Sequence, residues 1–263
     1  MFPLIIFSDI MRGMREFLYQ IFIHQWEKKL GIVMIVIVVL ATILRVLFAT
    51  TAGSTLARNS ATGVLRYVAI GDSYTIGESV NVRDNFPAQL STALTKGGMP
   101  SLMVANPSRT GFTTREVIAV ELPVLERSKP DAATLLIGVN DWVVGVSPEE
   151  FKANLDIILD RMLTAIPEKR IVVITIPDFA ATPTGKIYAV GRDGHSGIQH
   201  FNEIIMHEAG VRNLPVVDIF ALSGTLGVIG GYVAFDGLHP SATAYAKWVE
   251  LILPIAKATF SQK

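Results

Sequence analysis

The sequence predicts a three-layer α/β fold with a parallel sheet, preceded by one transmembrane helix. From Leu65 onward, short apolar runs alternate with longer segments of helical periodicity. The short runs are rich in Val, Ile and Leu without strict alternation with polar residues, which is typical of parallel strands covered on both faces. The separate apolar run Leu30–Ala49 is long enough for a membrane span.

Five strands and five main helices are predicted after the first 64 residues. The strands are Leu65–Ile70, Leu102–Asn106, Ala133–Ile137, Ile171–Ile176 and Val216–Ile219. The helices lie near Phe86–Thr95, Thr114–Arg127, Pro148–Ile166, Gln199–Ala209 and Ala242–Thr259. In an open parallel sheet, ligands bind beyond the carboxyl ends of the strands, so functional residues are expected there.

The amino-terminal part is predicted to be a membrane anchor. Leu30–Ala49 holds 20 residues with one charge, Arg45, close to its end. That length crosses about 30 Å of hydrocarbon, and a run that is apolar on every face is unlike a soluble core helix. We expect a cytoplasmic or interfacial segment (1–29), a transmembrane helix or signal anchor (30–49), a small polar linker (50–63) and one domain (64–263).

The basic residues that precede the apolar run predict its orientation. Lys28 and Lys29 abut it, with Arg12 and Arg15 further upstream, so the amino terminus is expected in the cytoplasm and the domain outside. Cleavage as a signal peptide, followed by secretion, is the alternative, although 29 residues before the run are long for such a peptide. Residues 14–26 are interpreted either as an interfacial helix or as a region preceding the true start codon.

Composition excludes several function classes. The 263-residue chain has no cysteine, which excludes disulfides, thiolate catalysis and cysteine-ligated metals. Its formal net charge is zero, so nothing favours nucleic acid as a partner. No phosphate-binding loop or H-E-x-x-H zinc motif occurs, and no cofactor or metal is expected. His195 and His200 flank a glycine-rich loop, interpreted as a mobile loop at the mouth of a site rather than as a metal pair.

Two short motifs supply a serine, an aspartate and a histidine in that chain order. Gly71-Asp72-Ser73 follows the first predicted strand, and Asp236 precedes His239 by three positions. A histidine oriented by a carboxylate can remove the proton of a serine hydroxyl and so make it a nucleophile. Taken alone, Ser73 could be a helix cap and His239 a surface residue.

Two further segments fall at the same predicted sheet edge. Gly138-Val139-Asn140-Asp141 follows the third strand, and Gly111 lies on a loop beyond the second. An asparagine amide and a glycine N–H can both donate hydrogen bonds to an oxyanion. The alternative for each residue is an ordinary turn position.

Together these four segments resemble the blocks of the SGNH (GDSL-type) hydrolase superfamily, in order and spacing, over about residues 65–259. The resemblance implies a flavodoxin-like α/β/α fold, with Ser73 as nucleophile, His239 as base and Asp236 as its orienting acid. It also implies an oxyanion hole built from Ser73, Gly111 and Asn140. No G-x-S-x-G elbow surrounds Ser73, which disfavours the α/β-hydrolase fold.

The function expected from this resemblance is a membrane-anchored serine esterase that cleaves acyl or acetyl groups from carboxylic esters through an acyl-enzyme. Its substrate is expected to be a small-molecule, glycan or lipid ester. Lysophospholipase, thioesterase or acyltransferase activity at the same site is the alternative, as is a catalytically inactive binding module. Asp72 and Trp142 are candidate substrate-binding residues. The apolar residues near the oxyanion candidates could line an acyl pocket or belong to the core: Phe112, Trp142, Val143, Val144 and Val146.

Overall fold

The computed structural model describes residues 63–262, which contain one five-stranded sheet. The strands are β1 (Leu65–Gly71), β2 (Ser101–Ala105), β3 (Ala132–Leu136), β4 (Ile171–Ile174) and β5 (Val216–Val217). All neighbouring strands are parallel, in the order β2-β1-β3-β4-β5. The predicted five-stranded parallel sheet is confirmed, and its order is that of flavodoxin-like folds.

The register of the central strands brings their carboxyl ends to the same level. Tyr67 pairs with Ala132, and Gly71 pairs with Leu136 at the other end of the ladder. The segments that follow β1 and β3 therefore begin side by side at one edge of the sheet. Because the strand order changes direction at β1, a crevice for ligands is expected beside this strand.

Helices cover both faces of the sheet. They are α1 (Ser73–Ile76), α2 (Phe86–Lys96), α3 (Thr114–Glu116, continued by a π-helical turn Val117–Glu121 and by Leu122–Ser128), α4 (Val139–Val144), α5 (Pro148–Ala165), α6 (Gly185–Tyr188), α7 (Gly194–Val211), α8 (Phe220–Leu226) and α9 (Ala242–Phe260). A 3₁₀ turn, Phe179–Ala181, follows β4. Helix α2 packs on α9, whereas α3, α5 and α7 pack in a row. The outcome is the predicted three-layer arrangement.

Side-chain caps set where the long helices begin. Asn85, Ser147 and Ser241 accept backbone N–H groups in the first turns of α2, α5 and α9. Asp193 does the same for α7 by accepting from Ser196 N at 3.0 Å. This cap starts α7 five residues before the predicted helix, so part of the predicted glycine-rich loop is helical.

Four short helices were not predicted: α1, α4, α6 and α8. They span four to seven residues, too few to display a helical period in the sequence. Three of them follow strand ends directly or by a few residues, so they shape the edge of the sheet where the site lies.

The predicted membrane anchor lies outside the described residues. This applies to the segment 1–29, the apolar run 30–49 and linker residues 50–62. Between residues 63 and 262, no helix combines the length and apolar character needed to cross a membrane. The span therefore stays a prediction from the sequence.

Candidate active site

Ser73 lies at a tight junction between β1 and α1. The junction needs a glycine at position 71, since a Cβ there would lie 2.2 Å from the carbonyl oxygen of Leu136 and 2.3 Å from Oγ1 of Thr75. Ser73 is the first residue of α1, so its backbone N–H has no acceptor within the helix. That N–H is available to a ligand at the carboxyl edge of the sheet.

Asp72 is a structural residue, which corrects its predicted role in substrate binding. It is fully buried and does not line the cleft that holds Ser73. Its Oδ1 accepts the N–H of Tyr74 at 3.0 Å and caps α1. Burial raises the pKa of Asp72 to about 8; the Tyr74 hydrogen bond opposes this shift and the charge of Asp141 adds to it.

Asp236 and His239 form the pair that their spacing predicts. Gly237 takes a left-handed conformation, with φ of 74°, and the loop turns back on itself. Oδ2 of Asp236 then lies 2.6 Å from Nδ1 of His239, while Oδ1 accepts the N–H groups of Leu238 and His239 at 2.9 and 3.0 Å. Because Nδ1 is engaged, Nε2 is the nitrogen left to act as a base.

The Asp236 carboxylate accepts one more hydrogen bond, from a residue that the sequence did not indicate. Oγ of Ser79 lies 2.6 Å from Oδ2 of Asp236. Burial alone would raise the pKa of Asp236, but the bonds from Ser79, His239 and the loop N–H groups lower it to about 2. The carboxylate is therefore ionised at neutral pH and can stabilise a protonated imidazole.

Two residues that can donate to an oxyanion border the same cleft as Ser73. Gly111 has φ of 82°, a conformation that favours glycine, and it lies on the loop after β2. Asn140, in the first turn of α4, donates from Nδ2 to the carbonyl oxygen of Phe112 at 2.9 Å. An asparagine amide has two N–H donors, so the second remains for an oxyanion.

Helix α4 is held in place by the residue after Asn140. Asp141 is buried and accepts hydrogen bonds from both the N–H (3.0 Å) and the hydroxyl of Thr114, at the start of α3. Burial raises the pKa of Asp141 to about 6, although the bonds from Thr114 oppose the shift. This contact fixes the position of α4 relative to α3, and with it the position of the Asn140 amide.

A cleft of about 220 Å³ brings these residues together. Ser73, Gly111, Asn140 and His239 all border it. Its remaining wall is mostly apolar and consists of Tyr74, Val139, Val143, Phe179, Tyr188 and Leu238, with Thr110 at one side. The cleft therefore offers a nucleophile, a base and amide donors beside an apolar surface.

The predicted acyl-pocket residues are mostly placed elsewhere. Only Val143 lines the cleft. Val144 is exposed, and Val146 packs against the core. Three of the six residues of this wall come from the segments after β4 and β5, which the sequence did not link to the site: Phe179, Tyr188 and Leu238.

Trp142 is a packing residue rather than a substrate contact, which corrects a second prediction. Its ring lies 5.6 Å from that of Phe179 and against Gly197, where a Cβ would come within 2.0 Å of the indole nitrogen. The guanidinium of Arg192 stacks 3.9 Å from the ring centroid. The same group donates to the carbonyls of Trp142 and Val143 at 2.8 and 2.9 Å. The loop before α7 is thus tied to α4.

A second aspartate–histidine pair lies at the same edge of the sheet. Nδ1 of His195 lies 2.7 Å from Oδ2 of Asp178, a pairing that its 17-residue separation hid from sequence analysis. His200 instead faces Glu203 at 3.4 Å. Over residues 63–262, no cluster of three or more histidine and acidic side chains is arranged to hold a metal ion.

The fold and the constellation define a class of protein: an α/β/α domain with a serine, a histidine–aspartate pair and two amide donors around one cleft. Residues 69–247 match the model of the GDSL-like Lipase/Acylhydrolase family. The match spans more than half of the chain, and the chain belongs to this family. The resemblance seen in the four sequence blocks is confirmed at the level of the family.

Known relatives agree with this assignment. An arylesterase of Vibrio mimicus is 26% identical over 124 residues, which are 47% of this chain and 60% of that protein. TesA has 23% identity and a TM-score of 0.60, over 74% of this chain and 99% of TesA. A lipase/acylhydrolase from Enterococcus faecalis has 23% identity and a TM-score of 0.58, over 76% and 98% of the two chains. The chain spans 60% of the length of the arylesterase, and the two solved structures share its fold.

Proposed function

We propose that the domain is a serine esterase that hydrolyses carboxylic esters through an acyl-enzyme on Ser73. The observation that carries this proposal is a shared cleft. Ser73, His239 and the donors Gly111 and Asn140 border one cavity, and Asp236 holds Nδ1 of His239 from behind. This is the arrangement that acyl transfer to a serine needs.

In the first half-reaction, Oγ of Ser73 attacks the carbonyl carbon while its proton moves to Nε2 of His239. The electron pair of the C=O bond moves onto oxygen. When the tetrahedral intermediate collapses, the bond to the alcohol breaks, and the leaving oxygen takes the proton from His239. Asp236 stays ionised and stabilises the imidazolium formed between these two steps.

In the second half-reaction, water replaces the alcohol. His239 removes a proton from water, the hydroxide oxygen bonds to the acyl carbon, and the bond to Oγ of Ser73 breaks as the serine regains a proton. The negative oxygen of both tetrahedral intermediates is placed between the N–H groups of Ser73 and Gly111 and the free amide N–H of Asn140. One such donor is worth about 2.7–4 kcal/mol in the transition state.

The wall of the cleft supports an apolar acyl or aryl group in the substrate. Val139, Val143, Phe179 and Leu238 supply carbon surface next to the serine, and the V. mimicus relative bears the name arylesterase. Acetate, octanoate and palmitate esters of p-nitrophenol, assayed as a series, measure how long an acyl chain this surface accepts. A preference for the longest chains, or for thioesters, would favour the lysophospholipase and thioesterase alternatives.

The experiment that tests the mechanism is Ser73→Ala in the full chain, assayed with p-nitrophenyl acetate. We expect a loss of at least about 10³ in kcat/KM, since the nucleophile is removed while the amide donors remain. Ser91→Ala is the matched control, because Ser91 lies on α2 and its hydroxyl hydrogen-bonds to Ser101, away from the cleft. Retained hydrolysis in Ser73→Ala would refute the mechanism. An inactive parent chain would instead favour the binding-module alternative.

We also propose that Leu30–Ala49 holds this domain on the outer side of a membrane. The apolar length of the run and the basic residues before it support this proposal. A carboxyl-terminal reporter that is active only outside the cytoplasm should be active in the fusion, and the chain should remain in the membrane fraction after alkaline washing. A reporter that works only in the cytoplasm would contradict the orientation, and release into the medium would favour cleavage.

A further inference from the structure

The three-residue turn Gly77–Ser79 contacts three separate parts of the proposed site. It directly follows α1, and Gly77 closes that helix in a left-handed conformation with φ of 81°. The N–H groups of Gly77 and Glu78 both donate to the carbonyl oxygen of Ser73 at 3.0 Å. The backbone of the turn therefore holds the residue that carries the nucleophile.

The second contact of this turn reaches the loop with the oxyanion donor. The carboxylate of Glu78 accepts a hydrogen bond from the hydroxyl of Thr110. Thr110 precedes Gly111, whose N–H is placed in the oxyanion hole. Thus one turn connects Ser73 with the loop that faces it across the cleft.

The third contact reaches the acid of the triad. Oγ of Ser79 donates to Oδ2 of Asp236 at 2.6 Å, across 157 positions of sequence. This is the oxygen that also accepts Nδ1–H of His239, at 2.6 Å. With both bonds formed, the plane of the carboxylate is fixed relative to the imidazole ring.

The backbone of Ser79 is in an unfavourable conformation for a serine. Its φ is 67°, in the left-handed region that glycine occupies at no steric cost. Such residues persist where surrounding contacts determine them, and they concentrate at functional sites. Glycine would fit this backbone better, but it lacks the hydroxyl that reaches Asp236.

We propose that Ser79 is a positioning residue, whose hydroxyl orients the Asp236 carboxylate toward His239. The turn that contains Ser79 also fixes the positions of Ser73 and of the Gly111 loop relative to each other. The inference rests on the proposed esterase mechanism, in which His239 must be held with Nε2 toward Ser73. Without the hydroxyl, Asp236 has one donor fewer and can rotate. The imidazole is then held in the productive orientation for a smaller fraction of the time.

The test compares Ser79→Ala and Ser79→Gly in the full chain with p-nitrophenyl acetate. Because both variants lose a hydrogen bond to a charged group, we expect kcat to fall about tenfold in each, with KM nearly unchanged. The acidic limb of the kcat/KM profile should move to higher pH, because the less solvated carboxylate attracts the imidazolium more strongly. Ser79→Gly should unfold at the same temperature as the parent or higher, since glycine suits this φ.

A matched control separates the backbone effect from the hydroxyl effect. Asn213 is an exposed residue with φ of 56°, and Asn213→Gly should change thermal stability in the same direction as Ser79→Gly without changing kcat. A glycine variant at position 79 that is as stable as the parent but about tenfold slower supports the inference, because a merely structural role does not predict that combination.

Two results would overturn the inference. One is full activity and an unchanged pH profile in Ser79→Ala. The other is activity lost in Ser79→Ala but restored in Ser79→Gly, which would assign the effect to backbone fit. Either result, obtained while Ser73→Ala is inactive, leaves the esterase mechanism standing. If Ser73→Ala is itself active, it is the mechanism that fails.

Discussion

A buried glutamate beneath the nucleophile predicts an unusual pH dependence of stability. Glu121 lies in the π-helical turn of α3 and is fully buried. Its Oε2 accepts the N–H of Gly71 at 3.0 Å and the more distant hydroxyl of Ser108 at 3.5 Å. Within the described residues, its Oε1 has no partner. Burial raises the pKa of Glu121 from 4.5 to about 8, opposed by the Gly71 bond and reinforced by the charge of Asp72.

The sign of the effect follows from proton binding. The folded chain holds the Glu121 proton up to about pH 8, whereas the unfolded chain releases it near pH 4.5. Between these values the unfolded state binds fewer protons, so the free energy of unfolding falls as pH rises. One group contributes about 1.4 kcal/mol per pH unit. From pH 5 to pH 8 the Glu121 contribution is therefore a loss of about 4 kcal/mol.

The perturbation is Glu121→Gln, which keeps the shape and the acceptor for Gly71 but cannot ionise. Urea unfolding followed by circular dichroism, at about pH 5 and about pH 8, measures the free energy at both ends of the range. The difference between the two values should shrink by about 4 kcal/mol relative to the parent. Glu126→Gln is the matched control: Glu126 lies on the same helix in a surface ion pair with Arg161, worth at most about 1 kcal/mol.

An unchanged difference in Glu121→Gln would refute the reasoning, because it would mean that Glu121 ionises in the folded state at its ordinary pKa. A change of equal size in Glu126→Gln would show that the effect does not depend on burial. The pKa of Asp72 is also raised to about 8, and Asp72 is unchanged in the variant. The free energy of unfolding of Glu121→Gln should therefore still fall toward pH 8.

Three further predictions concern the site and its supports. Asn140→Ala should lower kcat on the order of 10²–10³-fold with the fold intact; a loss below about threefold in ester hydrolysis would contradict its oxyanion role. Arg192→Ala should lower the free energy of unfolding by about 2 kcal/mol, since it removes two hydrogen bonds and a cation–π contact. Lys186→Ala, on the neighbouring helix α6, serves as control. Equal stability of the two variants in urea would contradict a stabilising role for the Arg192 contacts with α4. Gly138→Ala should lower the free energy of unfolding by about 3 kcal/mol in the same assay, because the φ of Gly138 is 127° and a Cβ would lie 2.8 Å from the Phe151 ring. An unchanged free energy would contradict the close packing of Gly138 against Phe151.

The sequence was sufficient to predict the sheet because buried parallel strands consist of short, continuous apolar runs. Val172, Val173 and their neighbours in β4 are apolar on both faces, and this composition is visible without a structure. The short helices were missed for the opposite reason. Four residues of α1 or six of α4 form a helix because of caps and tertiary contacts, such as Asp141 with Thr114, which lie outside the local pattern.

Site residues could be predicted where chemistry and strand ends coincide. Ser73 and Asn140 directly follow strands, and His239 is marked by its spacing from Asp236. All three carry groups that acyl transfer needs, and the structure brings them to one cleft. Asp72 and Trp142 share that position in the sequence, but their side chains point into the core. The position of a residue after a strand predicts that it lies at the edge of the sheet. Whether its side chain is buried or reaches the cleft depends on tertiary packing, which no motif indicates.

Long-range contacts that no motif marks could not be predicted. The bond from Ser79 to Asp236 joins a turn after the first strand to a loop after the fifth. Neither residue type nor spacing marks it, and the only local clue, a left-handed serine, is a property of the folded backbone. The apolar wall formed by Phe179, Tyr188 and Leu238 was hidden for the same reason.

The most direct measurement of the central claim is labelling of the folded full-length chain with a fluorophosphonate, followed by peptide mass spectrometry. Phosphonylation should be found on Ser73, should be lost in Ser73→Ala, and should slow strongly when His239 is changed to Gln, because the serine then lacks its base. Rapid labelling of Ser73 in the His239 variant would contradict the role of the histidine. Labelling confined to another serine, or absent from active enzyme, would contradict the assignment of Ser73 as the nucleophile.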